Sequence, residues 1–191
     1  MAILDLATYK LYKGLNSPTD DTKNTNTINA VNAFIEAYTG RVFTTYYGAD
    51  KTEYFSSTFT ELYPIETPIV SVTSLEYSND NGETYSTALV EYTDYIIDTD
   101  NDAVISLKGE FCTPTYPFNA IKLVYRGGYS EVPKDLVMAA VHLTDYYVDE
   151  EYTPRKSLAG SSVDHVVQPD MTARLPAHIR RVLENYRDIR F

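Results

Sequence analysis

The chain has 191 residues, 43% of them hydrophobic and 23% charged, which is ordinary for a soluble protein with its own core. No apolar run approaches the roughly 18 residues that a membrane span requires, and the N-terminus lacks the basic and then apolar pattern of a secretion signal. The lone Cys112 excludes an intrachain disulfide framework and fits a reducing compartment. We expect Cys112 to be a small, partly buried apolar residue.

Charge is unevenly distributed along the chain. The net charge is −11, and residues 172–191 carry five arginines against Glu184 and Asp188, a local +3, so the remainder carries −14. An acidic surface repels phosphate groups, which argues against tight nucleic-acid binding across the whole surface. Acidity of this size is also common among proteins that are simply soluble.

Tyrosine is unusually frequent, with 18 residues and no tryptophan. Its ring fills strand faces or interfaces while its hydroxyl tolerates water. Two interpretations follow with equal weight. One is a β-rich domain that uses tyrosine as its aromatic residue, and the other is an oligomer with much half-buried surface.

Two helices are predicted at the start of the chain. Leu4–Tyr12 has its apolar residues at helical spacing and is closed by Gly14. Ser17-Pro18-Thr19-Asp20 predicts a second helix start, with Ser17 as the cap and proline in the first helical position. This helix becomes amphipathic from Ile28 and ends at Gly40.

From Arg41 to Tyr129 the pattern is that of short strands. Seven or so are predicted, separated by close turns, as in a small antiparallel sheet or barrel-like unit. Asn81-Gly82 is a strong hairpin signal. The strand segments expected are 41–47, 52–57, 69–77, 83–92, 95–97, 104–107 and 120–125.

Pro133 predicts a third helix, and Pro176 a fourth one. The third has one apolar face through Leu136 and Leu143 and a second apolar face, so we expect it to be buried on two sides, one of them against a neighbouring subunit. The subunit-contact candidates are Val137, Val141, Met138 and Val148. Residues 149–175 lack periodicity and are predicted to form a long mobile loop.

No constellation of catalytic or metal-binding residues emerges from the sequence. Asp98–Asp102 opens like a calcium loop, but Ala103 and Gly109 stand where that loop needs glycine and glutamate, so a solvated hairpin turn is predicted. The three histidines are widely separated, no serine lies in a glycine-flanked elbow, and Gly127-Gly128 lacks the rest of a phosphate loop. We therefore expect no enzyme activity, no metal and no cofactor.

The only charge cluster with a possible task is the basic C-terminal segment. Arg180 and Glu184 have helical pairing distance, which is typical of a solvated helix face. The functional interpretation is docking onto an acidic partner surface, with Phe191 as an apolar anchor. The docking candidates are Arg174, Arg180, Arg181, Arg187, Arg190 and Phe191.

Four segments, in order, resemble the siphophage head–tail connector (adaptor) family. Asp5–Leu11 is similar to its opening helix, and Ile28 through Ile35-Glu36-Ala37-Tyr38-Thr39-Gly40-Arg41-Val42-Phe43 to its second helix and exit. Tyr125-Arg126-Gly127-Gly128-Tyr129 with Val132-Pro133-Lys134-Asp135-Leu136 resembles the approach to its third helix. Leu175-Pro176 with Leu183 and Tyr186-Arg187 resembles its closing helix. Together these segments span about half of the chain.

The resemblance implies an α+β architecture in which a helical core from both chain ends carries an inserted β unit. The expected divisions are 1–40, 41–130 and 131–191. It further implies a virion protein that forms a homo-oligomeric ring, of twelve subunits, between the portal protein and a tail or tail-completion protein. Double-stranded DNA would pass through without tight binding, because an acidic bore repels phosphates. No membrane is involved in this arrangement.

A rival function belongs to a different class. The tyrosine-rich β unit could be a binding module for carbohydrate or for a protein partner, because tyrosine rings stack on sugars and fill interfaces. The absence of tryptophan counts against the carbohydrate interpretation. The β region is also longer than a compact connector needs, so its role stays open.

Overall fold

The structure is a computed structural model that describes residues 2–56, 60–111, 118–149 and 175–188. The chain divides into two compact units, Met1–Arg41 with Val132–Phe191, and Val42–Glu131. Across the described ranges the first is helical and the second is built from antiparallel strands. The predicted α+β class is confirmed. None of the described helices is long and apolar enough to span a membrane.

Helices α1 and α2 open the helical unit. The first, α1 (Leu6–Lys13), is capped by the Asp5 carboxylate, which accepts the Thr8 amide at 2.7 Å and whose pKa is lowered by that bond. It ends at Gly14 in the left-handed conformation, as predicted. The second, α2 (Asp21–Thr39), ends at Gly40, also left-handed, and buries Ile28, Val31 and Ile35.

Helices α3 (Lys134–Val148) and α4 (Ala177–Glu184) complete this unit, each with a proline at its N-cap. Both prolines were predicted as helix starts, and the helices begin one residue later. The α3 helix packs against α2 and α4, and the apolar residues shared among them are almost fully buried. These core residues are Ile28, Val31, Ile35, Leu136, Ala139, Ala140, Leu143, Ile179 and Leu183.

The β unit contains two open antiparallel sheets in the described part of the chain, and no closed barrel. The four-stranded sheet has the order β1 (Lys51–Phe55), β7 (Ile121–Gly127), β3 (Ile69–Tyr77), β4 (Thr87–Ala88). The three-stranded sheet has the order β2 (Glu61–Leu62), β6 (Ala103–Ser106), β5 (Tyr95–Asp98). The turn predicted at Asp98–Asp102 therefore joins β5 to β6.

Strand β7 is the centre of the β-unit core. Its side chains alternate, so that Ile121, Leu123 and Tyr125 have no exposed surface while Lys122 and Arg126 face outward. Residues of both sheets pack with them in one apolar cluster. The other fully or nearly fully buried members are Leu62, Ile69, Leu75, Tyr95, Val104, Phe111 and Ala120.

Three local predictions are wrong. Residues 41–47 form no strand but a turn and a single 3₁₀ turn (Thr45–Tyr47), because their backbone groups bond to Glu66 and Tyr129 instead of to a ladder. The second helix begins at Asp21 rather than near Pro18, since the Ser17 hydroxyl bonds Thr19 locally. After the predicted hairpin turn, the strand expected over 83–92 is reduced to Thr87–Ala88, which pairs with β3.

Candidate docking surfaces

The arginines of helix α4 and of the residues that follow it lie in different environments. Ile179 and Leu183 are buried and fix the helix in the helical unit. The guanidinium carbon of Arg187 lies 5.9 Å from the ring centroid of Tyr38, a cation–π distance. Tyr38 in turn stacks on Phe34, with 5.9 Å between ring centroids. Arg187 is therefore held by α2 rather than presented freely to a partner.

The other predicted docking arginines differ in exposure, and two of them lie outside the described residues. Arg180 is half-buried, whereas Arg181 is exposed and is the basic residue of the last turn of α4. Arg174, Arg190 and Phe191 lie outside the residues that the structure describes. Of the six predicted docking residues, Arg181 is the one that is exposed and whose side chain makes no hydrogen bond, ion pair or ring contact with another described residue.

Helix α3 offers only part of the predicted subunit-contact face. Met138 is 38% exposed, and Val137 and Val148 are half-buried. Val141 is only 3% exposed, so it belongs to the core of the helical unit and has no surface to offer a neighbour. The inclusion of Val141 is thus corrected, because helical spacing alone does not tell an intramolecular face from an intermolecular one.

An apolar patch at the end of α1 escaped sequence analysis. Leu11 is 81% exposed, Tyr12 is 48% exposed and Leu15 is 41% exposed. Helical spacing predicted Leu11 on the buried face, but Tyr9 occupies the buried position instead. The turn that carries the patch is well formed, since the Leu15 amide donates to the Lys10 carbonyl at 3.0 Å around Gly14. Clustered exposed apolar side chains mark interaction surfaces.

A buried tyrosine fixes the position of α1 in the helical unit. The Tyr9 hydroxyl donates to the Asp145 carboxylate at 2.8 Å, and the Lys13 ammonium bonds the other oxygen of that carboxylate at 3.0 Å. Burial, and then the neighbouring Asp145 carboxylate, raise the pKa of Tyr9. Helix α1, which carries the exposed patch, is therefore held against α3 by these hydrogen bonds.

Within the β unit, four polar side chains form a partly buried anchor cluster, consisting of Lys51, Glu53, Glu66 and Tyr125. The Lys51 ammonium lies 2.9 Å from Glu66 and 3.3 Å from Glu53, and Glu66 is 1% exposed. The Tyr125 hydroxyl donates to Glu53 at 2.6 Å and accepts from the Glu66 amide at 2.9 Å. Burial, and then Glu53, raise the pKa of Tyr125. Sequence analysis missed this cluster, because its members are distant along the chain.

The anchor cluster holds the segment that precedes β1. Both Glu66 oxygens accept from the Val42 amide at 3.2 Å, and both Glu53 oxygens accept from the Ile65 amide. The predicted glycine turn at the end of β7 belongs to the same region. The Gly128 amide donates to the Pro68 carbonyl and the Tyr129 amide to the Phe43 carbonyl. The lack of side chains at Gly127-Gly128 thus lets the end of β7 come close to the backbone of these neighbouring segments.

No metal centre is evident in the ranges 2–56, 60–111, 118–149 and 175–188, where no three His, Cys, Asp or Glu side chains come together as a ligand set. His142 and His178 meet edge to face, with 5.7 Å between ring centroids, and both are exposed.

Comparison with known proteins identifies the family of this chain. The family model for "Head completion protein" matches residues 2–189. The chain belongs to the head completion protein family. The head completion protein of Escherichia phage T5 is 25% identical over 199 residues, which cover 99% of this chain and 100% of that protein. The resemblance to head–tail connectors is thereby confirmed, and the chain is a head–tail connector component of the phage particle.

Two solved structures share the fold. A chain in the neck of an empty GTA particle, computed with C6 symmetry, has a TM-score of 0.55 at 17% identity, covering 99% of this chain and 91% of that one. A chain in the neck of a native GTA particle, computed with C12 symmetry, has a TM-score of 0.55 at 14% identity, covering 97% and 90%.

Proposed function

We propose that the chain forms a homo-oligomeric ring of twelve subunits between the portal protein and the tail, through which double-stranded DNA passes. The observation that carries the proposal is the exposed apolar patch of Leu11, Tyr12 and Leu15 on the helical unit, with Met138 on α3. A connector ring requires such faces, because a subunit in a ring buries two different surfaces against its neighbours. The neck origin of the two similar folds, one with C12 symmetry, agrees with this.

The charge of the chain supports its role as a conduit. A net charge of −11 repels DNA phosphates, so DNA would move through an acidic bore without adhering. The role is structural rather than catalytic, as expected from the absence of an acid–base or nucleophile constellation in the sequence.

The ring is tested by subunit variants with a matched control. Leu11→Glu places a charge in the exposed patch without touching the core, and we expect it to abolish rings in electron micrographs and to leave monomers in solution. Val70→Glu, at a 46% exposed position of the β unit, is the control. A wild-type chain that stays monomeric and does not bind portal protein would overturn the ring.

We further propose that the basic C-terminal segment docks the subunit onto an acidic surface of the portal or of a neighbour. Arg181 is the described residue best placed for this, since it is exposed on the last turn of α4. Arg181→Glu should weaken docking about tenfold in dissociation constant, which corresponds to roughly 1.4 kcal/mol. In complementation of a phage lacking this chain, it should lower the number of tailed particles. Removal of residues 174–191 should abolish docking while the β unit stays folded.

The control for Arg181 is Lys134→Glu, which reverses an exposed charge at the first residue of α3. Normal numbers of tailed particles with Arg181→Glu and with the truncated chain would refute a docking role for this segment.

A second candidate function rests on one feature of the β unit. Tyr54 is 53% exposed on β1 and lies 5.8 Å from Tyr85, ring centroid to centroid, and the Lys122 ammonium is 5.6 Å from the Tyr85 ring. Such a face suits a sugar or a protein partner. Glycan binding that is lost in Tyr54→Ala would favour this function over a purely connecting role.

A further inference from the structure

A cavity of about 240 Å³ lies in the β unit, and the head–tail role does not account for it. Its apolar lining comes from Tyr77, Leu89 and Phe111, and its charged lining includes Asp94, Lys108 and Glu110. A cavity of about 150 Å³ is enough to hold benzene. This cavity therefore has room for one aromatic side chain of a partner.

The segments that line the cavity also expose large apolar side chains. Val90 is 58% exposed, Tyr92 80% and Leu107 49%. Tyr92 has φ 63°, a left-handed conformation that is strained for a non-glycine residue. The turn is nevertheless closed by two bonds of 2.7 Å, from the Tyr92 amide to the Tyr95 carbonyl and from the Val90 amide to Asp94. Backbone strain of this kind concentrates at binding sites.

The charge around the cavity selects a cationic partner. The two lining segments, 89–94 and 106–111, contain Glu91, Asp94 and Glu110 against Lys108, a net charge of −2. The Lys108 ammonium already pairs with Asp94 at 2.6 Å. Glu110 is exposed and has no partner among the described residues. A cation adjacent to an aromatic ring would match both the acidic rim and the apolar lining.

The chain itself carries such a segment. Residues 172–191 have a local charge of +3 and end in Arg190-Phe191, which lies outside the described residues. We propose that the cavity of one copy receives the Arg190-Phe191 segment of a second copy, with Phe191 against the apolar lining and Arg190 beside Glu110. This contact rests on the proposed ring, and it is head-to-tail, the kind of contact that generates closed rings.

The contact is tested first in solution, with a labelled peptide of residues 184–191 and fluorescence anisotropy. The receptors are the full chain and a variant lacking residues 189–191, whose cavity cannot be occupied by its own segment. We expect saturable binding to the shortened receptor. Phe191→Ala in the peptide and Glu110→Lys in the receptor should each weaken it at least tenfold.

Glu83→Lys is the matched receptor control, because Glu83 is also an exposed acid of the same unit and does not line the cavity. It should bind the peptide as the unchanged receptor does. Absence of saturable binding, or equal binding by the Glu110 and Glu83 variants, would overturn the contact.

The second measurement uses assembled particles in which a photoreactive aromatic residue replaces Phe191. A cross-linked product of twice the chain mass, joined near Tyr77 or Phe111, supports the contact. A product that joins this chain to a different virion protein, or a link within one chain, overturns it. Complete particles without the copy-to-copy product would contradict this contact but not the proposed ring. The peptide measurement tests the contact independently, even if no ring forms.

Discussion

A methyl group added to Gly127 would lie 1.9 Å from the carbonyl oxygen of Glu66. Glycine at this position lets the end of β7 approach the segment that contains Glu66, whose carboxylate holds the Val42 amide. We expect Gly127→Ala to lower the free energy of unfolding of the β unit by about 3 kcal/mol, the upper end for overpacking of a close contact. Thermal and urea denaturation followed by near-UV circular dichroism would measure the loss.

Gly48→Ala is the control for this change. Gly48 has nothing within 4 Å of its added carbon and lacks a positive φ. An unchanged transition for Gly127→Ala would show that the backbone can shift at no cost, contrary to the packing described.

The second prediction concerns the buried charges of the anchor cluster. Lys51→Met leaves Glu66, which is 1% exposed, without its cation, and we expect a destabilisation of about 3 kcal/mol. Lys108→Met removes an ion pair of similar length whose lysine is 64% exposed, so its cost should be below about 1 kcal/mol. Equal losses for the two variants in urea denaturation would contradict a special role for Lys51.

A third prediction tests how α1 is fixed. Tyr9→Phe removes the hydroxyl that donates to Asp145 at 2.8 Å, and its expected cost is about 1.5 kcal/mol, typical of a hydrogen bond to a charged group. Tyr12→Phe, on the exposed side of the same helix, should have no measurable effect. Amide hydrogen exchange of α1 should accelerate only in the Tyr9 variant, and equal protection in both would refute the assignment.

A fourth prediction concerns acid stability. Hydrogen bonds from the Ser78 hydroxyl and then from Thr84 lower the pKa of Asp80 to about 2. Because the folded-state pKa is lowered, the stabilisation is complete above the ordinary value of 3.8 and is lost as the pH falls towards about 2. Carboxyl NMR of Asp80 should give a midpoint near 2, and Asp80→Asn should remove the dependence. A midpoint near 4 would be inconsistent with these hydrogen bonds.

Sequence reasoning succeeded where the signal was local. Gly14 and Gly40 were predicted as helix ends, and both have a positive φ there. Strand 69–77 was predicted with the bounds that the structure shows, because β-branched composition and flanking turn residues specify a strand locally. The four ordered segments also led to the correct family, since each records a local feature that the family shares.

Local pattern failed where a distant residue decides the outcome. Residues 41–47 have the composition of a strand, yet their backbone groups form hydrogen bonds with the Glu66 carboxylate and the Tyr129 amide instead of with a neighbouring strand. Val141 and Met138 have equal claims to an exposed face by helical spacing. Only packing against α2 and α4 buries the former and exposes the latter.

The sequence by itself determined the class of the protein, its helix ends, most of its strands and its family, because these depend on residue types within a few positions of one another. Only the tertiary structure decided which apolar residues remain at the surface, which C-terminal arginine is held by Tyr38, and why Gly127 must lack a side chain. Each of these depends on two residues far apart in the chain, and burial and close contact between such residues exist only after folding.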